Sequence, residues 1–415
     1  MQPQDFTMDF QQFELSNGIK VILNEDTSTP VSHCGLFIRV GSRDEEENEQ
    51  GLAHFIEHCI FKGTKKRKAY HILNRMESVG GEINAYTTKE ETCVYSSFLS
   101  QHYERAIELI ADISLNSIFP EKEIEKEKEI VIDEINSYLD DPYELIFDEF
   151  EELIFNHHPL GKPILGNKKQ IKKFNKNQLN NFIEKHYCAN NLFISFSGNL
   201  NAKKLKKTLE KYFAHVREGR VKLQQNPTIT DSYFTKSKKK KNYQTHSILG
   251  SIAYSSSHEK RRGLILLNNI LGGPGMNSRL NMEVREKHGL AYNIESTYNS
   301  YTDSGLFSIY FGTDRKNVEK TENLIRKELK KLRETKLGIN QLHQAKQQLI
   351  GQIALGQESK VNLMLAAGKS LMTYDKVDEL GEVFRIIEGI DADSLIEIAN
   401  ELFTENSLSN LTYLS

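Results

Sequence analysis

The sequence predicts an α+β chain built from two copies of one α/β-sandwich domain, each a mostly antiparallel sheet with helices packed on it. Two observations carry that prediction. The first is length: 415 residues exceed what one ordinary core organises, so two or more domains are expected. The second is an internal repeat. A shift of 212 positions places Gly51-Leu52 on Gly263-Leu264, each followed by an apolar helical pattern. The same shift places EINAYTTKEETCVYSSF (82–98) on IESTYNSYTDSGLFSIY (294–310) without a gap, with Tyr86 over Tyr298.

In chain order, QFELSNGIKVILN (12–24) alternates apolar residues around Asn17-Gly18, a favoured hairpin turn. SHCGLFIRV (32–40) reads as a strand, and an acidic stretch from Asp44 leads to a helical pattern over GLAHFIEHC. A helix is expected over 68–78, stopped by Gly80-Gly81, then two short strands, EINAYTT and TCVYSSFLS. Helices follow at 102–118 and, opened by Pro120, to about Tyr138. Residues 158–166 form a loop and 189–200 return to strand character. Between 216 and 243 the pattern lapses and ends in KSKKKK (236–241). The expected division is therefore 1–218, a Lys-rich linker at 219–243, and 244–415. In the second half, MNSRLNMEVREKH reads as a helix capped by Gly289, with a strand from about Ala291. A long helical pattern covers 340–370, and SLSNLTYL closes the chain.

Composition narrows the function. Hydrophobic residues are 38 % and charged residues 27 % of the chain, a globular balance. A net charge of −3 argues against a general nucleic-acid binder, and without interleaved aromatics KSKKKK reads as a solvated linker. The four cysteines have no C-x-x-C spacing and suit a reducing compartment. The N-terminus shows no signal or transit pattern, and no apolar run is long enough to span a bilayer. A cytoplasmic protein without nucleic-acid or membrane partners is expected.

The chemistry centres on His54, Glu57 and His58, an H-x-x-E-H triplet. On a helix the histidines are i and i+4 on one face, so two imidazoles can converge on one ion, half of a zinc shell. The same spacing also describes ordinary helix histidines beside a surface glutamate. The shifted positions in the second half are Leu266, Asn269 and Ile270, so the repeat carries the scaffold without these groups. A third donor is sought among carboxylates that interrupt an apolar face. Glu127 and Glu134, seven residues apart, lie within about 20° of each other on a helical wheel, flanked by Ile130, Val131 and Tyr138. A carboxylate there needs a compensating cation, either a metal or a lysine.

GLAHFIEHCIFKGT, GGEINAYT and EKEIVIDEI together resemble the inverted-zincin (pitrilysin/insulinase-like) metallopeptidases, closest to the mitochondrial-processing-peptidase branch and its bacterial relatives. The resemblance covers most of the chain. It implies one zinc per chain, held by His54, His58 and Glu134, with Glu127 behind a ligand as an orienting carboxylate. Arg285 and Tyr292 match the R-x6-Y pair of the second half, which in that family reaches the peptide carbonyl. It further implies a zinc endopeptidase acting on unfolded segments or short peptides. Glu57 would be the general base, Tyr292 would donate to the oxyanion, Arg285 would bind a nearby carbonyl, and the strand holding Asn84, Ala85 and Tyr86 would take substrate as an added strand. Two domains would form half of a clamshell, and a homodimer is expected, with a heterodimer as the other possibility. Cys59 stands where a Met is usual and reads as a small core residue rather than a ligand. The competing function is a non-catalytic assembly or partner subunit, but such chains typically lack part of the triad.

Overall fold

A computed structural model describes residues 10–219, 229, 233–404 and 407–415. Two sheets form its frame. The first contains β1 (Phe10–Glu14), β2 (Lys20–Glu25), β3 (Val31–Ile38), β4 (Glu82–Thr87), β5 (Thr92–Leu99) and β6 (Leu192–Gly198), in the order β1-β2-β6-β3-β5-β4. The second contains β7 (Thr235–Lys239), β8 (Thr245–Ala253), β9 (Ala291–Ser300), β10 (Gly305–Thr313) and β11 (Ser409–Leu414), in the order β7-β11-β8-β10-β9. Omitting β1, the two orders superpose strand for strand, and each has one parallel pairing at the same place, β2 with β6 and β7 with β11. The hairpins β4–β5 and β9–β10 are the segments that the repeat aligns. Gly18 makes the β1–β2 turn at φ +89°, a region glycine enters without strain.

Helices cover one face of the first sheet, and the core between them includes Leu36, Ile38, Phe55, Ile56, Leu109, Phe196 and Leu209. The opposite face is covered from the other end of the sequence. A helix at Lys360–Tyr374 lays Met364, Ala367, Leu371 and Met372 on Ile22, Phe37, Cys93 and Phe193. Contact is close enough that a Cβ on Gly368 would lie 2.1 Å from the Phe37 ring. The exchange is mutual. A helix at Pro142–Ile154, started by Asp141 accepting from the Tyr143 amide at 2.9 Å, places Ile146, Phe150 and Ile154 on Ile248, Leu306, Leu411 and Tyr413 of the second sheet. The division at 218 and 244 therefore does not coincide with the spatial units: 142–154 belongs to the second sheet and 360–374 to the first.

Two further expectations change. The lysine run is not all linker, since Thr235–Lys239 pairs with β11 as an exposed edge strand. Its lysines lie back on the protein, with Lys238 on Glu149 and Lys240 over the Tyr413 ring. The long pattern over 340–370 is two helices, Ile339–Gly356 and Lys360–Tyr374.

The β4–β5 and β9–β10 turns meet between the sheets. Glu90 accepts from the Thr302 amide at 3.0 Å and from its hydroxyl at 2.7 Å. These positions are each other's counterparts under the 212-residue shift, so a pseudo-twofold axis passes between them. Arg43 fastens the same contact, reaching Glu90 and, at 2.5 Å, Asp303.

Candidate metal centre

The H-x-x-E-H segment forms a short helix, Leu52–Cys59, that buries Leu52, Phe55, Ile56 and Cys59. Gly51 precedes it at φ +90°, where an added Cβ would lie 2.7 Å from the Leu165 carbonyl oxygen. Two of the amides left unpaired at its start are bound by one side chain: the buried Glu45 carboxylate accepts from Gly51 and from Ala53, both at 2.8 Å. Cys59 is a free, buried thiol, and burial pushes its pKa up, in keeping with a core residue.

Across this helix lies the Glu121–Asp140 helix, anchored in the core by Ile124, Val131 and Ile135. Glu134 Oε2 is 3.8 Å from His54 Nε2 and 3.5 Å from His58 Nε2, and the three donor atoms lie within 4.8 Å of one another. Among the described residues this is the only group of three or more such side chains that could hold a metal. Glu134 Oε2 and His54 Nδ1 are buried without a hydrogen-bond partner. Two imidazole nitrogens and a carboxylate oxygen, converging on an oxygen with no donor, fit a zinc ion with one position left for a further ligand.

The electrostatics of the pair are split. Burial, aided by the neighbouring His58, brings His54 down to about 4. Burial also pulls on His58, but the Glu127 and Glu134 carboxylates beside it outweigh burial and carry His58 up to about 9. Glu127, 3 % exposed, has Oε2 3.3 Å from His58 Nδ1 and accepts from Lys62 Nζ on Oε1 at 2.8 Å. Both alternatives for a buried carboxylate are thus realised: a lysine compensates it, and it orients an imidazole of the cluster. Ile130, by contrast, is 48 % exposed, so the face around the two glutamates is less apolar than the wheel suggests.

Glu57 lies outside the ligating group. Its Oε2 accepts from the Thr87 hydroxyl at 2.7 Å, and burial raises its pKa while that bond opposes the rise. Asn84, Ala85 and Tyr86 lie in β4, which ends the sheet and pairs on one side only, with β5. Tyr86 turns to the face away from the metal helix and donates to Glu91 at 3.1 Å. Arg285 and Tyr292 are brought together, but with each other: the guanidinium lies 5.0 Å from the Tyr292 ring centre, and Tyr292 is 79 % exposed. Among the described residues neither forms a hydrogen bond or ion pair with His54, Glu57, His58 or Glu134. Their segment is not a regular α-helix as expected but a π-turn, Asn281–Glu286, in which His288 Nδ1 donates to the Glu283 carbonyl at 2.7 Å. Gly289, at φ +60°, then turns the chain into β9.

Sequence reasoning passed over Glu45, Lys62 and Thr87. Lys62 carried a usable signal, four residues beyond His58 on the continuing helical turn. Glu45 and Thr87 act across a loop and a sheet, and nothing in local spacing announces them.

Comparison with known proteins places this geometry in context. Residues 20–168 match the insulinase (peptidase family M16) model, and 173–349 match the peptidase M16 inactive domain. An uncharacterized zinc protease of Rickettsia felis is 35 % identical, aligned over 96 % of either chain. The uncharacterized zinc protease YmxG of Bacillus subtilis is 32 % identical over 95 % of this chain and 96 % of its own. The crystal structure of a protease from Helicobacter pylori superposes with a TM-score of 0.91 at 22 % identity, covering 99 % of this chain and all of its own, a likeness of fold.

Proposed function

The chain belongs to the insulinase-like peptidase family M16, and on that premise we propose that it is a zinc-dependent endopeptidase for unfolded segments and short peptides. The observation that carries the reading is the convergence of His54, His58 and Glu134 on one point, with the Glu57 carboxylate beside it. These three residues would hold the metal. When bound, zinc supplies Lewis-acid activation of water and of the scissile carbonyl.

The remaining work falls to the chain's own groups. Glu57 takes the proton of the attacking water and passes it to the leaving amine. Its Oε1 forms no hydrogen bond among the described residues and is the oxygen available for that transfer. The free edge of β4 at Asn84, Ala85 and Tyr86 aligns an extended segment through main-chain pairing, which tolerates many sequences. Arg285 and Tyr292 offer a guanidinium and a phenol to peptide carbonyls from the second half. We take the working unit to be a homodimer in the cytoplasm, to be checked by sedimentation and fractionation. Among the described residues no helix is long and apolar enough to cross a membrane.

The test is cleavage of a mixed library of unstructured peptides, lost with a chelator and restored by stoichiometric zinc. Glu57→Gln is expected to abolish hydrolysis while zinc still binds. Turnover retained in that variant would remove Glu57 from the mechanism.

A further inference from the structure

The Thr87 hydroxyl sits where the strand offered to substrate meets the metal helix. Along β4, Ile83 and Ala85 pack against the core beneath the helices, and Thr87, next on that face, reaches Glu57 Oε2 at 2.7 Å. Its backbone has little freedom. It pairs with Thr92 across the hairpin, and the turn after it is closed by the Thr88 amide on the Glu91 carbonyl at 2.8 Å. The Thr88 hydroxyl accepts from the Glu91 amide at 3.1 Å, and the turn's tip is tied to the second half by Glu90 and Thr302. A glutamate on a helix surface otherwise samples several rotamers, and here it neighbours His58 and repels Glu134.

We infer that Thr87 is a positioning residue for hydrolysis: its hydroxyl holds Oε2 of Glu57 and leaves Oε1 as the single oxygen aimed to take the proton. The inference rests on the peptidase reading above. It adds that the base is set from the edge strand rather than from its own helix, so that the element pairing with substrate also fixes the base.

Thr87→Val keeps the β-branched shape and removes the donor, while Thr87→Ser keeps the donor. Both are compared with wild type and Glu57→Gln by kcat and KM on one unstructured peptide, zinc content, thermal midpoint, and affinity of the metal-free protein for the same peptide. Thr87→Val is expected to lower kcat by about 10- to 100-fold, the penalty of a misplaced catalytic group. KM, zinc content, thermal midpoint and metal-free peptide affinity should stay at wild-type values, and Thr87→Ser should recover most of kcat. A wild-type kcat in Thr87→Val, with Glu57→Gln inactive, would overturn the inference and leave the peptidase reading standing. Loss of zinc, fold or peptide affinity in Thr87→Val, or no recovery in Thr87→Ser, would make Thr87 structural and also overturn it. An active Glu57→Gln would overturn the base assignment and the inference together.

Discussion

Two helices in this chain carry the same Gly-Leu dipeptide near their starts and occupy matching places on matching sheets. In the first half, Gly51 stands outside its helix in a left-handed conformation, and the helix buries His54 and half-buries Glu57 and His58. In the second, Gly263 is inside the Arg261–Gly272 helix, packed under Ile398, and Leu266 fills the position of His54 with no exposed surface. The scaffold thus accepts either three titratable residues or a triplet with none, Leu266, Asn269 and Ile270. What differs is what each leaves behind. Leu266 adds to the second core, whereas the first half leaves Glu134 Oε2 buried without a hydrogen-bond partner. Buried polar atoms without partners are costly, and they are tolerated where a ligand is to supply the missing contact.

The most drastic way to break this comparison is to write the second half into the first. A His54→Leu, Glu57→Asn, His58→Ile variant should bind no zinc and cleave nothing. In denaturant titration it should be less stable than the metal-free wild type by about 1 to 3 kcal/mol, because Glu127 and Glu134 stay in place and lose the imidazole that they face. A variant as stable as the metal-free wild type would show that the polar triplet serves the metal and not the fold.

A second effect follows from His58. Its folded pKa of about 9 lies above the ordinary imidazole value, so its proton stabilises the metal-free protein fully below about 6.5, and that contribution is lost as pH rises through about 9. Zinc must displace that proton. Zinc affinity should therefore climb about tenfold per pH unit between roughly 6.5 and 9, read by competition with a chelator of known affinity. A flat profile would mean that His58 is already neutral in the metal-free protein.

Smaller changes sharpen the contrast. Glu127→Gln, which leaves the His58 Nδ1 proton a weaker acceptor, should reduce zinc affinity about 10- to 100-fold, with the second sheet's hydrogen-exchange protection unchanged. Arg285→Lys should lower kcat/KM about tenfold, corresponding to about 1.4 kcal/mol, at unchanged zinc content. An equal loss of zinc would place Arg285 among the supports of the metal site instead of on the substrate.

Much of this is legible in the sequence. Asn17-Gly18 announces the first hairpin and the 212-residue shift both later hairpins; i, i+4 histidines point to two metal donors, while the choice of Glu134 over Glu127 as the third is what the family resemblance implies. What escaped reading is what local pattern does not encode. The 142–154 helix is amphipathic, but its apolar stripe does not say which sheet it lies on. The strand β7 shows no alternation, because all five of its residues are exposed and its place rests on main-chain pairing with β11. The π-helical turn before Tyr292 leaves the Glu283 carbonyl to the His288 side chain, a pairing that helical periodicity does not signal. Lys62 could have been read as the cation that Glu127 required; Thr87 could not, since its partner lies across the sheet.

The reciprocal loan of helices has a consequence for biosynthesis. The first sheet is complete once β6 has emerged from the ribosome, yet the helix that covers Ile22, Phe37 and Phe193 begins only at Lys360. At usual elongation rates roughly 160 residues take about 8 to 32 s to appear. Throughout that interval an aromatic and aliphatic face stands bare on the nascent chain. A face of that kind favours aggregation until its cover is made, and a chain stopped after residue 340 would carry His54, His58 and Glu134 on a sheet still lacking that cover.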